Sequence, residues 1–147
     1  MIYFILLSFL AGIAIVTQAN LNAYLGQLLA SSVIATFVAL STSAIFVLLV
    51  IFVYVKEIPS IDIIKSVPIY LWFTGGLLGA FALACFYYII PKIGLLHMIS
   101  YSLCGQLIIS MLSSHYGWFN MPVSTISISK ISGIILMTLG IFLINKG

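Results

Sequence analysis

Apolar residues run almost unbroken through five stretches of this chain, and polar positions gather where the stretches end. A helix that crosses a bilayer needs about 20 apolar residues. The runs predict spanning helices at about residues 2–26, 32–55, 68–90, 95–114 and 130–145, all within one domain, residues 1–147. Ser31 and Ser32 stand where a side-chain oxygen can cap the second helix, which stops at Lys56-Glu57-Ile58-Pro59. Pro68 suits the first turn of the third, where its missing N–H costs nothing. The short break Pro91-Lys92-Ile93-Gly94 makes spans three and four a tight hairpin. Tyr116, Gly117, Trp118, Asn120 and Pro122 form a loop whose aromatics suit headgroup depth.

Composition settles the setting. The chain is 64% apolar and only 5% charged, against about 25% charged in soluble domains. It is therefore expected to be an all-helical integral membrane protein. The first run lacks a basic leader and passes into Gln18–Asn22 instead of a cleavage site, so it is expected to stay as span one. The charged residues are Lys56, Glu57, Asp62, Lys65, Lys92, Lys130 and Lys146, and none lies inside an apolar run. Charge near the bilayer centre costs roughly 2.5–3.5 kcal/mol, so these residues mark the span ends. Five spans put the termini on opposite sides. Lys56, Lys65 and Lys130 then share the N-terminal side, facing Lys92 and Lys146 on the other. Lysine bias sets orientation. So even a balance admits insertion both ways round, or one orientation set by the single extra lysine.

The polar residues inside the spans carry the candidate chemistry. In span one, Ser8, Ala11, Ile15, Gln18 and Asn22 recur every three or four residues and share a face. An amide turned to lipid leaves its donors and acceptors unmet, so this face should see protein or water. In span four, Ser102, Gln106, Ser110 and Ser113 form a second stripe, with Gln106 near the midplane, where transporters place their sites. Both stripes admit two readings, a cavity lining or hydrogen-bonding glue between helices. Tyr101 and Trp72 would add an aromatic wall to a cavity, and Ser102 a hydroxyl. His97, one turn from Tyr101, is the one titratable group clearly within a span. It is either a satisfied structural residue or a proton-coupling group. Gly75, Gly76 and Gly79 in span three, and Gly133 and Gly140 in span five, read as helix-packing positions. Ser41-Thr42-Ser43 can bond back to the carbonyls of span two.

Other classes find little support. There is no arginine and no basic stripe for nucleic acid. Cys85 and Cys104 lie in apolar runs without ligand spacing, so no metal and no cofactor is expected. No nucleophile with an adjacent base recommends an enzyme. No carboxylate lies in a span, so proton coupling would rest on His97 or on nothing.

The run Gln18-Ala-Asn-Leu-Asn22-Ala-Tyr-Leu-Gly26 resembles the glutamine–asparagine signature of the YdcZ-like branch of the drug/metabolite transporter superfamily. Gly75-Gly76-Leu-Leu-Gly79-Ala80 resembles that family's third-span glycine motif, and Pro91-Lys-Ile-Gly94 its hairpin. Gly105-Gln106-Leu107 and His115-Tyr-Gly117-Trp resemble its fourth span and the following turn; Pro122 and Gly133 also fall in register. The family commonly has an aspartate where this chain has Ser114, so nothing resting on that carboxylate carries over. The resemblance implies a five-span inner-membrane exporter of undefined small-molecule substrate. It also implies paired units of inverted topology, here an antiparallel homodimer, a 5+5 bundle working by alternating access. The alternative is an accessory or assembly membrane protein that transports nothing and pairs with a separate partner subunit.

Overall fold

A computed structural model describes residues 1–120 and 122–146. It is 86% helix, without a strand among the described residues. The helices are α1 (Ile2–Leu28), α2 (Ser32–Tyr54), α3 (Ile61–Ser66), α4 (Ile69–Ile93), α5 (Leu95–Tyr116) and α6 (Ile128–Lys146). All except the six-residue α3 are long and apolar enough to cross a membrane. Helices satisfy every backbone group internally, which the hydrocarbon region demands. The chain divides into two compact units, Met1–Lys92 and Ile93–Gly147.

In the first unit, α1 and α2 form a hairpin whose link is only Leu29, Ala30 and Ser31. Ala30 takes a left-handed conformation (φ +50°), which reverses the chain within that length. The Ser31 hydroxyl accepts from the Ile34 N–H at 3.2 Å and caps α2. Small residues let the two backbones approach. Ala19, Ala23 and Gly26 are buried on α1, as are Ala35, Thr36 and Ala39 on α2. A Cβ built on Gly26 would stand 3.5 Å from the Ala35 Cβ. Such close approach is how helices gain dispersion energy where lipid offers no hydrophobic drive. Thr36 and Thr42 turn their hydroxyls back onto Ser32 and Val38 carbonyls, both at 2.8 Å, so neither leaves a polar group unmet.

The link after α2 holds a helical turn that hydropathy does not announce. Ser60 caps α3, with Asp62 in its first turn and Lys65 in its last, both suited to the helix dipole. α4 starts at Ile69, directly after Pro68, and carries on through Pro91 to Ile93. Proline so near a helix end removes one N–H without blocking the final turn. The break falls at Gly94, whose φ of +87° suits glycine. Near that end Tyr87 and Ile90 are buried, and the Lys92 ammonium lies 3.5 Å from the Tyr88 ring centroid.

In the second unit, α5 and α6 run antiparallel. The Cys104 thiol meets the Thr138 hydroxyl at 4.0 Å, and the Ser114 carbonyl accepts from the Ser124 N–H at 2.9 Å. Gly117 ends α5 in the left-handed conformation. Beyond it Tyr116 and Trp118 stack with ring centroids 6.2 Å apart, and the His115 Nδ1 accepts from the Ile126 N–H at 3.4 Å. These contacts hold His115 against Ile126 and Tyr116 against Trp118 at the end of the helix pair.

Candidate functional site

The polar face of α1 meets α4 at one point. The Asn22 Nδ2 donates to the Tyr87 hydroxyl at 3.2 Å. Gln18, one turn earlier on α1, approaches the same hydroxyl. Tyr87 is 1% exposed and is the largest side chain so fully buried. Two amides and a phenol thus form a cluster within the spans, held in place because Ala19, Ala23 and Gly26 seat α1 against α2. Asn22 is half-buried and Gln18 exposed, so the cluster is satisfied on its Tyr87 side and open on the other. Together an amide and a phenol offer donors and acceptors but no charge. They can hydrogen-bond a solute and cannot by themselves exchange a proton with it at neutral pH.

Tyr87 is absent from the residues that the sequence nominates. It sits in Phe86-Tyr87-Tyr88 close to a span end, where aromatics ordinarily read as headgroup anchors. The signal that separates it is its neighbour. Tyr88 lies exposed with its ring under Lys92, whereas Tyr87 points 100° around the helix, inward.

The other candidates fall out differently. On α5 the Gln106 Nε2 donates to the Ser102 hydroxyl at 2.9 Å, a bond within one helix. Gln106 is exposed and Ser102 half-buried. Tyr101 and Trp72 are 57% and 55% exposed, so neither is enclosed as an aromatic wall by its own chain. His97 is half-buried, and its Nδ1 would stand 3.7 Å from a Cβ placed on Gly94. A Cβ built on Gly75, Gly76, Gly79, Gly133 or Gly140 would meet nothing within 4 Å. The close helix contact in the first unit is instead built from alanines and Gly26. Among the described residues no cluster of three metal-ligand side chains occurs, and both cysteines are free.

Five helices long and apolar enough to span a bilayer, with uncharged polar groups held inside them, define a multi-pass helical membrane protein. Its family is the one described as "putative inner membrane exporter, YdcZ", whose model matches residues 3–143. The chain belongs to that family. It is a multi-pass protein of the inner membrane, and its family is one of transporters, not of enzymes. No curated protein and no solved structure matches it.

Proposed function

We propose that the protein is half of an exporter for a small polar or amphipathic solute, two copies associating antiparallel and working by alternating access. The observation that carries this is the Gln18–Asn22–Tyr87 cluster, within the spans of a chain from an exporter family. Its open side offers amide donors and acceptors where lipid could satisfy none. Gln106, with Ser102, supplies the second polar element of the path. Tyr101 and Trp72, outward-facing in one chain, are available to line a cavity that a second copy completes. The nearly even lysine distribution is compatible with both orientations. With no carboxylate in the spans, the reading favours a facilitator; loss of pH-dependent transport in His97→Gln would overturn that preference.

The test is transport of labelled solutes by protein reconstituted in vesicles. Gln18→Leu and Gln106→Leu should each abolish movement while leaving dimer formation intact. Full transport by both variants would overturn the site. Orientation is tested by one cysteine placed after Lys146, with Cys85 and Cys104 replaced by Ala. Labelling from both sides of the membrane is expected, and labelling from one side alone would remove the antiparallel homodimer.

A second reading has a specific observation behind it: Asn22–Tyr87 is a bond between helices, as glue would be. An accessory protein that moves nothing would then pair with a separate, oppositely oriented partner. Under that reading Gln106→Leu lowers thermal stability in detergent; under the transport reading it leaves stability nearly unchanged.

A further inference from the structure

Between α5 and α6, wholly within the second unit, lies a groove of about 340 Å³. That is near the small end of the roughly 300–1,000 Å³ typical of ligand sites. None of the residues proposed for the solute path lines it. Its walls are graded along the helix pair. One end holds Lys130, Ser114 and Ser124; the rest is walled by Leu107, Met111, Gly133, Ile134 and Met137, with the Ser110 hydroxyl one turn below Ser114 as the one further polar group. On α6, Lys130, Ile134 and Met137 lie at i, i+4 and i+7, so the groove follows one helix face for about 10 Å from the charged end.

Lys130 is the unusual member. It stands in the first turn of α6, where a span leaves the hydrocarbon. Its ammonium donates to the Ser124 hydroxyl at 2.6 Å and to the Thr125 carbonyl, both neutral. The second unit contains no aspartate or glutamate. The charge is thus fixed in direction by two neutral acceptors and is not neutralised by a carboxylate of its own unit. Gly133 lies beside it with open space where a side chain would stand, which keeps the groove unfilled.

A cation with hydroxyls at a span end, followed by two turns of wall that is apolar apart from Ser110, matches one class of molecule. We infer that the α5–α6 groove binds an anionic phospholipid, its phosphate on Lys130 and Ser124 and one acyl chain along Met111, Ile134 and Met137. Basic pockets between spanning helices select acidic headgroups in this way, and a charge-assisted hydrogen bond is about twice as strong as a neutral one. The site stands apart from the proposed solute path and does not depend on it.

Native mass spectrometry of the purified chain, titrated with phosphatidylglycerol or with phosphatidylcholine of the same acyl chains, tests this. The wild type should hold one phosphatidylglycerol at least tenfold more tightly than phosphatidylcholine. Lys130→Gln should reduce that preference to parity, Lys130→Arg should keep it, and Lys65→Gln should leave it unchanged. Gly133→Leu fills the groove and should weaken both lipids. Arg and Gly133 variants keep the test decisive should Lys130→Gln fold poorly. Equal binding of the two lipids by the wild type, or undiminished preference in a folded Lys130→Gln, would overturn the inference. So would displacement of the lipid by millimolar inorganic phosphate alone, because the apolar wall would then contribute nothing.

Discussion

Replacing Tyr87 by Phe removes one oxygen and keeps the ring that fills the buried position on α4. What is lost is the acceptor for the Asn22 amide at 3.2 Å. Hydrogen bonds between membrane helices average only about 0.6 kcal/mol, with about 1.7 the highest measured. Leaving a buried donor unmet adds about 1–3 kcal/mol, and Asn22, being half-buried, belongs at the low end. Tyr87→Phe should therefore cost about 1.5 kcal/mol, against about 3–5 for Tyr87→Ala, which also empties the ring's space. The assay is reversible unfolding of purified protein in mixed micelles, run as a cycle with Asn22→Ala and the double variant. A coupling energy of about 0.6 kcal/mol, roughly threefold in the unfolding equilibrium, is expected. Strict additivity of the two substitutions would refute the bond and the α1–α4 seating built on it.

Gly26→Ala should be nearly neutral, since its Cβ would make ordinary contacts at 3.5 Å with Ala35 and Ser32. Gly26→Leu should cost about 1–3 kcal/mol by forcing the hairpin apart, read from the same unfolding assay. Ser31→Ala should cost about 1 kcal/mol through loss of the α2 cap, and Ser31→Asp should retain most of that stability. Gly79→Leu should not destabilise the single chain by a clash at its Cβ, because nothing lies within 4 Å of that position. The same variant should lower the cross-linked dimer fraction if that face packs on a second copy.

Five spans are readable in the sequence because apolar length and the retreat of lysines to the ends are strong signals in a bilayer. The cap at Ser31 and the helix start after Pro68 follow from local chemistry alone. Gly94, not Pro91, sets the break between α4 and α5; proline so near a helix end costs one hydrogen bond, whereas Gly94 leaves the helical conformation altogether, at a positive φ that only glycine takes readily. α3 escapes notice because six residues give no periodicity to read. The site is half legible. Gln18 and Asn22 stand out as amides in an apolar run, but their partner Tyr87 resembles any interfacial aromatic until its burial is known. Small residues pose the same difficulty. The glycines of α4 read as packing positions and have open space where a Cβ would stand, while the close contact of the α1–α2 hairpin uses Ala19, Ala23 and Ala35, which composition makes unremarkable. Sequence tells which residues allow close approach, and only geometry tells which neighbour takes advantage of it.

The unequal lengths of the helices have a consequence for the membrane itself. At 1.5 Å per residue, the 27 residues of α1 extend about 40 Å, while the 19 of α6 extend about 28 Å. A hydrocarbon layer of about 30 Å suits α6 nearly upright and obliges α1 to lean or protrude. No charged side chain lies within α1 to pin it at a fixed depth. Bilayer thickness should therefore change the inclination of α1 together with the α2 packed on it, and with it the angle at which Gln18 and Asn22 are presented. Reconstitution in lipids of graded chain length would vary that inclination directly.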